Sequence, residues 1–289
     1  MPPYDVVPDL HPKPDLNRHD DAVTPVQVVA HRGSSAAHAE HTLAAYELAL
    51  DEGADALECD IRLTRDGVLV CVHDRRIDRT SDGRGVVSTL ELADLAELDF
   101  ASWKAAGGDR LLEADWESLD RDRTRVLTLE RLLQLALDHP RPVELHIETK
   151  HPTRYGGLVE RALIDLLERY GVARPLSRSV SRVTVMSFAP TSLRRVHAMS
   201  PALPTVLLME RVPLRYRDGS LPPQVTIAGP SLEIVQAHPG YVERVHAAGH
   251  RLHVWTVDEP TDIDYVLGLG ADAVISNHPT RVLRKLGRV

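Results

Sequence analysis

Hydrophobic positions along this chain come in short blocks of two kinds, and the two kinds alternate. Val26 to Ala30 is an apolar run of strand length that ends in the polar residues His31-Arg32-Gly33. Thr42 then stands where a helix cap is needed. Leu43, Tyr46 and Leu50 follow at helical spacing as far as Asp51, and Gly53 provides the stop. From Thr128 onward the alternation is regular. Helical periodicity covers Thr128–Asp138, Leu158–Tyr170, Thr191–Met199, Tyr241–Ala248, Thr261–Leu269 and Thr280–Leu286. Strand-length runs cover Val143–Glu148, Val183–Ser187, Thr205–Met209, Val225–Ala228, Arg251–Thr256 and Ala273–Ser276. With Val26–Ala30 and Ala56–Leu63 this makes roughly eight strands, most of them followed by a helix, which is the signature of a TIM (β/α)8 barrel. A doubly wound open sheet shares the same local rhythm, so the pattern alone admits both.

The rhythm is broken twice. Residues 1–24 are rich in Pro and Asp without apolar periodicity and read as a flexible N-terminal arm ahead of a barrel at 25–289. Residues 75–125 read as an insertion after the second strand. Within it Ser88 and Glu91 have capping-box spacing ahead of Leu92, Leu95 and Leu98, which predicts one helix. The rest of the insertion is charged and carries Phe100, Trp103, Gly107-Gly108 and Trp116.

Ala54 to Asp74 reads as a hairpin about Asp66-Gly67. Alternation along its first strand puts Glu58, Asp60 and Arg62 on one face. A two-residue turn sets His73 opposite Asp60 and places Cys59 and Cys71 on opposite faces, whereas a three-residue loop changes that parity. Carboxylates and an imidazole gathered on one strand face point to cation binding or acid–base chemistry, because charge is seldom buried without a partner.

Composition narrows the class. The chain has 289 residues, 43% of them hydrophobic, which supplies a full core for one α/β barrel of about 250 residues. A formal charge of −8, with no Lys/Arg block, argues against nucleic acid as a partner. No apolar run reaches the ~20 residues of a membrane span. Two cysteines and no signal-peptide pattern read as reduced thiols in a cytoplasmic protein.

In a barrel the strand C-termini converge on one face. Here they bring His31-Arg32, Glu58-x-Asp60, Glu148-x-Lys150, Ser187-Phe188, Trp255 and Asn277-His278. Three carboxylates make an all-oxygen site suited to Mg²⁺ or Ca²⁺. His31 and His73 supply a base and an acid near neutral pH, and Arg32 with Lys150 can neutralise an anion such as phosphate. Taken singly, each has a plain reading: Glu58 and Asp60 in an ion network with arginines, Glu148 bridged to Lys150, Trp255 plugging the barrel. Their joint occurrence at unrelated strand ends favours a functional site. His31-Arg32-Gly33-Ser34 fits neither a dinucleotide fingerprint nor a P-loop.

The ordered set of motifs resembles the glycerophosphodiester phosphodiesterase family. It runs through His31-Arg32-Gly33, Glu40-His41-Thr42, Glu58-Cys59-Asp60, Thr64-Arg65-Asp66-Gly67, Val72-His73-Asp74, Arg79-Thr80, Glu148-Thr149-Lys150, Trp255-Thr256-Val257 and Ser276-Asn277-His278-Pro279. The resemblance covers about residues 26–279 and implies a TIM barrel with a small insertion after the second strand. It implies one divalent cation on Glu58, Asp60 and Glu148, catalysis by His31 and His73, and phosphate or substrate contacts from Arg32, Lys150 and Trp255. The implied reaction converts a small-molecule glycerophosphodiester to glycerol 3-phosphate and an alcohol, with an optional cyclic phosphate on the way.

One departure stands out. The family usually has Glu-Asn-Thr where this chain has Glu40-His41-Thr42, two residues expected to shape the metal and phosphate shell. His41, with His38, either adds nitrogen ligands that shift preference toward Mn²⁺ or Zn²⁺, or His41 simply replaces the Asn hydrogen bond. Rival readings are a lysophospholipase D or phosphoinositide-specific phospholipase C, with Phe100, Trp103 and Trp116 as a lipid-facing patch or as the insertion's own core. A non-catalytic barrel that binds phosphodiesters is the remaining alternative.

Overall fold

The computed structural model describes residues 25–105, 123–151 and 156–289. The N-terminal arm, Gly107-Gly108 and Trp116 lie outside the described residues. Among the described residues nine strands form one sheet: β1 (Gln27–His31), β2 (Ala56–Leu63), β3 (Leu69–Cys71), β4 (Glu144–Thr149), β5 (Val183–Ser187), β6 (Thr205–Met209), β7 (Ile227–Pro230), β8 (Arg251–Val254) and β9 (Ala273–Ser276). All except β3 are parallel, in the order β1-β9-β8-β7-β6-β5-β4-β2. The β1–β2 pairing closes the ring, so the chain is a TIM barrel rather than an open sheet.

The outer helices are α1 (Leu43–Glu52), α4 (Leu129–Asp138), α5 (Leu158–Arg169), α6 (Pro190–Met199), α7 (Leu232–Ala237), α8 (Gly240–Ala247), α9 (Pro260–Gly268) and α10 (Pro279–Lys285); two short ones, α2 (Leu92–Ala96) and α3 (Ser102–Ala105), belong to the inserted segment. Their ends follow local chemistry. Thr42 accepts a hydrogen bond from the Ala45 amide at the start of α1, and Thr128 caps α4 through the Arg131 amide. Proline occupies the first turn of α6, α9 and α10, where its missing N–H costs nothing. No helix among the described residues is long and apolar enough to cross a membrane.

Strand alternation divides the core. Leu57, Cys59, Ile61, Leu145, Ile147, Val183 and Val185 face the helices, and truncating one such leucine to alanine costs about 2–5 kcal/mol. Val29, Ala56, Met186, Val206, Leu208, Ile227, Ala273 and Ile275 fill the barrel interior. Two buried histidines, His146 and His253, stack with ring centroids 5.3 Å apart.

The hairpin differs from the two-residue turn. Ile61 pairs with Cys71 and Leu63 with Leu69, and the Thr64 amide donates to the Val68 carbonyl, leaving Arg65-Asp66-Gly67 as a three-residue loop. Gly67 takes the left-handed position at φ 85° that this loop type requires. Val72 rather than His73 therefore lies opposite Asp60, whose carbonyl accepts from the Val72 amide. The parity change also puts Cys59 and Cys71 on the same face of the hairpin, both buried and both free. Because β1 pairs with β2 only as far as Glu58, β3 occupies the edge of β2 that β1 leaves open above the ring.

In the inserted segment the helix begins later than Ser88. Val87–Thr89 is a single 3₁₀ turn, and the capping box is Glu91 with Asp94 at the head of α2. Phe100 is buried against Val70, Ile77 and Leu95, so it belongs to the segment's own core and not to a lipid-facing patch. Trp103 donates its indole N–H to the Phe100 carbonyl.

Candidate active site

The register of three strands assembles the site. β1 sets His31 beside Glu58 on β2, and β4 sets Glu148 beside Asp60. These neighbours all face inward at the C-terminal end of the barrel, where they meet a cavity of about 800 Å³. His31, Arg32, Glu58, Arg62, His73, Glu148 and Lys150 line one side of it, and Met186, Phe188, Leu208, Trp255 and Ile275 line another. Asp60 is fully buried just beneath.

The carboxylates of Glu58, Asp60 and Glu148 each present an oxygen within 4.8 Å of the others. Such a set of hard, converging oxygens fits a divalent cation. The electrostatics agree. Burial and the neighbouring Asp60 push Glu148 up to about 8, and the same two causes, in that order, raise Glu58 well above the usual carboxylate range. Burial would also raise Asp60, but the His41 hydrogen bond and the charges of Lys150 and Arg32 outweigh it and hold Asp60 low. A cation among these groups would remove the mutual repulsion that two of them now feel.

Positive charge is interleaved with the acids. Lys150 Nζ lies 2.9 Å from Glu148 Oε1 and 3.1 Å from Asp60 Oδ1. Arg32 is placed by an unusual backbone: its φ is 57°, its amide donates to Glu58 Oε2 at 3.0 Å, and Gly33 follows at φ 85°. A side chain on Gly33 would meet the Ala45 backbone at 2.7 Å, so this close turn against α1 needs glycine. The Arg32 guanidinium reaches Asp60 Oδ2 at 3.1 Å and Glu40 Oε1 at 3.0 Å. Arg79 extends the network, donating to both Glu40 oxygens at 2.8 Å and to Asp74 Oδ2 at 2.7 Å. Opposed by burial, these contacts hold Glu40 at about 2.

The two histidines differ in their partners. His31 Nδ1 is 2.7 Å from Asn277 Oδ1, and burial with the adjacent Arg32 lowers its pKa to about 4. His73 Nδ1 donates to Asp74 Oδ1 at 2.7 Å, and its backbone carbonyl accepts two bonds from Arg62. Burial lowers His73 as well, against the opposing pull of Asp60 and Asp74. In each ring Nδ1 is tied to a neighbour, so Nε2 is the nitrogen that could take or give a proton.

His41 is a hydrogen-bond partner, not a member of the acidic group. Its Nε2–H donates to Asp60 Oδ2 at 2.9 Å, and its Nδ1 lies 2.8 Å from the Tyr46 hydroxyl, so both ring nitrogens are spent. His38 sits apart, in the field of Arg123, Lys104 and Glu52. Trp255 stands on the cavity wall with its indole N–H given to the Gly229 carbonyl and its ring edge-on to Phe188 at 5.3 Å, so it offers an apolar face. Asp74 and Arg79 carry a signal in the sequence only as neighbours of His73 in the ordered motifs, and Asp258 carries none.

The model of the glycerophosphoryl diester phosphodiesterase family matches residues 31–281. The chain belongs to this family. It is 49% identical over 256 residues to the "Probable glycerophosphodiester phosphodiesterase 1" of Mycobacterium tuberculosis (strain H37Rv), covering 88% of this chain and 90% of that protein. It is 33% identical to the glycerophosphodiester phosphodiesterase of Bacillus subtilis (strain 168), over 88% of this chain and 84% of the relative. Among solved structures, a phosphodiesterase of Oleispira antarctica in complex with its product sn-glycerol-3-phosphate shares the fold with TM-score 0.76 and 24% identity, over 90% of this chain and 96% of that one.

Proposed function

We propose that this member of the family hydrolyses small glycerophosphodiesters to glycerol 3-phosphate and an alcohol, with His31 and His73 as the proton-transfer pair. The observation that carries the reading is the placement of two differently partnered imidazoles and one three-carboxylate group on a single cavity. His31, whose Nδ1 faces a neutral amide, is the base: its Nε2 takes the proton of the attacking hydroxyl, either water's or glycerol's own, and in the second case water then opens the cyclic phosphate so formed. His73, backed by the Asp74 carboxylate, is the acid that returns a proton to the leaving alkoxide. Arg32 and Lys150 bind the phosphate oxygens and orient the diester between the rings. Glu58, Asp60 and Glu148 would hold one divalent cation, Mg²⁺ or Ca²⁺, which when bound supplies Lewis-acid stabilisation of charge on the phosphorus oxygens. The apolar wall of Met186, Leu208 and Trp255 favours one second reading, a lysophospholipid in place of a water-soluble diester.

Glycerophosphocholine, glycerophosphoethanolamine and lysophosphatidylcholine, each assayed with Mg²⁺, Ca²⁺ and Mn²⁺, separate these readings. Release of glycerol 3-phosphate from the first two supports the main reading. Turnover of the lysolipid alone supports the second, and no turnover of any supports a binding protein.

A further inference from the structure

Behind His31, on the side away from the acidic group, lies a relay of two side chains that the proposed chemistry has not used. Asp258, just beyond β8, accepts from the Asn277 amide N–H at 2.8 Å and from the Ser276 hydroxyl at 3.0 Å through Oδ1. Its Oδ2 accepts from Asn277 Nδ2 at 2.6 Å. A carboxylate can only accept, so Asn277 must turn its NH₂ toward Asp258 and its carbonyl oxygen the other way. That oxygen lies 2.7 Å from His31 Nδ1 and 2.7 Å from the Ser35 hydroxyl. A carbonyl oxygen also only accepts, so the proton of a neutral His31 must sit on Nδ1. Each step follows from donor and acceptor count, and the residues come from three strand ends that the β1–β9 and β8–β9 pairings bring together.

We propose that Asp258 and Asn277 are positioning residues that lock His31 in its Nδ1–H tautomer and so keep the Nε2 lone pair directed to the substrate. The role rests on the reading of His31 as base, but the lock itself is independent of any activity. The opposite tautomer would present Nε2–H to the substrate hydroxyl, a donor where an acceptor is required.

The first test needs no variant. A long-range ¹H–¹⁵N correlation of the histidine rings, with His31 assigned by the signals lost in His31→Gln, should show His31 of the intact protein as Nδ1–H. An Nε2–H signal overturns the proposal whatever the enzyme hydrolyses. The second test breaks the lock. In Asp258→Asn the new amide can offer an NH₂ to Asn277, which can then turn round and present its own NH₂ to His31. His31 should then shift toward Nε2–H, and kcat should fall about a hundredfold with KM within about twofold. The double variant Asp258→Asn/Asn277→Asp reverses the bond between the two residues but restores the acceptor at His31: the amide, moved to the first position, donates to the carboxylate at the second, which accepts from His31. It should recover the Nδ1–H signal and most of the lost kcat. An unchanged kcat in the folded single variant, or a folded double variant no better than the single, overturns the role. Should the single variant fail to fold, the double variant and the native tautomer still decide. If no diester is turned over by the unaltered protein while His31 is Nδ1–H, the functional reading fails and the lock stands.

Discussion

Two adjacent layers of side chains inside this barrel handle buried polarity in opposite ways. At the upper layer Asp60 and Glu148 lie side by side, ringed by Arg32, His41 and Lys150 within 3.1 Å. One layer down, two residues before Glu148, His146 stacks on His253, and none of the four ring nitrogens has a hydrogen-bond partner among the described residues. Glu144 Oε2 approaches His146 Nε2 only to 3.7 Å, beyond bonding distance. In the upper layer Asp60 keeps its charge because the His41 hydrogen bond and the charges of Lys150 and Arg32 outweigh burial. In the lower layer burial, with His146 and Arg251 beside it, holds the His253 ring in its uncharged form. The difference separates the layer of the proposed chemistry from the scaffold beneath it.

The largest effects belong to the upper layer. His31→Ala and His73→Ala should each lower kcat by about 10²–10⁴, or about 3–5 kcal/mol of transition-state stabilisation, with little change in the urea midpoint. A near-normal rate in either variant removes that histidine from the proton-transfer pair. Next in size is the cation. Mg²⁺ or Ca²⁺ at about a hundredfold over its Kd should stabilise the fold by about 2.7 kcal/mol, read as a rise in Tm that chelation reverses. In Glu148→Gln the rise should disappear, whereas a rise of full size would place the ion elsewhere.

The comparison also explains what could be read in advance. Glu58, Asp60 and Glu148 were legible because strand alternation and strand-end convergence are local rules, and the barrel followed from repeats of the same rules. The turn was not. Asp66-Gly67 suits a two-residue turn and equally the last two places of a three-residue loop, and the extra Arg65 shifts Val72 into the place expected for His73. His41 was legible as a departure but not as to its partners, since Asp60 and Tyr46 meet it only after α1 has packed on β2. The Asp258–Asn277–His31 relay was invisible because His31 and Asn277 are 246 residues apart and become neighbours only when the first strand pairs with the last.

A smaller effect tests whether His41 belongs with the ligands or with the scaffold. His41→Asn keeps a donor for Asp60 but loses reach to Tyr46, and should cost about 1 kcal/mol for one buried hydrogen bond. Because both imidazole nitrogens are already engaged, the order in which Mg²⁺, Ca²⁺ and Mn²⁺ raise Tm should not change. A reordered series would show that His41 contributes to ion choice.

A further effect lies in the lower layer and concerns pH. Burial, the neighbouring His146 and Arg251 lower the His253 pKa well below its usual value. As pH falls below about 6.5 the unfolded chain takes up a proton on this ring that the folded barrel does not, so stability must fall in step. For one such group the loss approaches about 1.4 kcal/mol per pH unit once the unfolded ring is fully titrated, and it ends at the folded pKa. His253→Leu removes that ring without adding a polar atom, so the acid side of the stability curve should flatten by about one proton between about pH 6 and 5. His31 and His41, also lowered by burial, continue to contribute to the remaining slope. If the slope of His253→Leu matches the native one, the lower layer already accepts a proton when folded. The stacked pair would then be a charged site sharing the chemistry of the layer above.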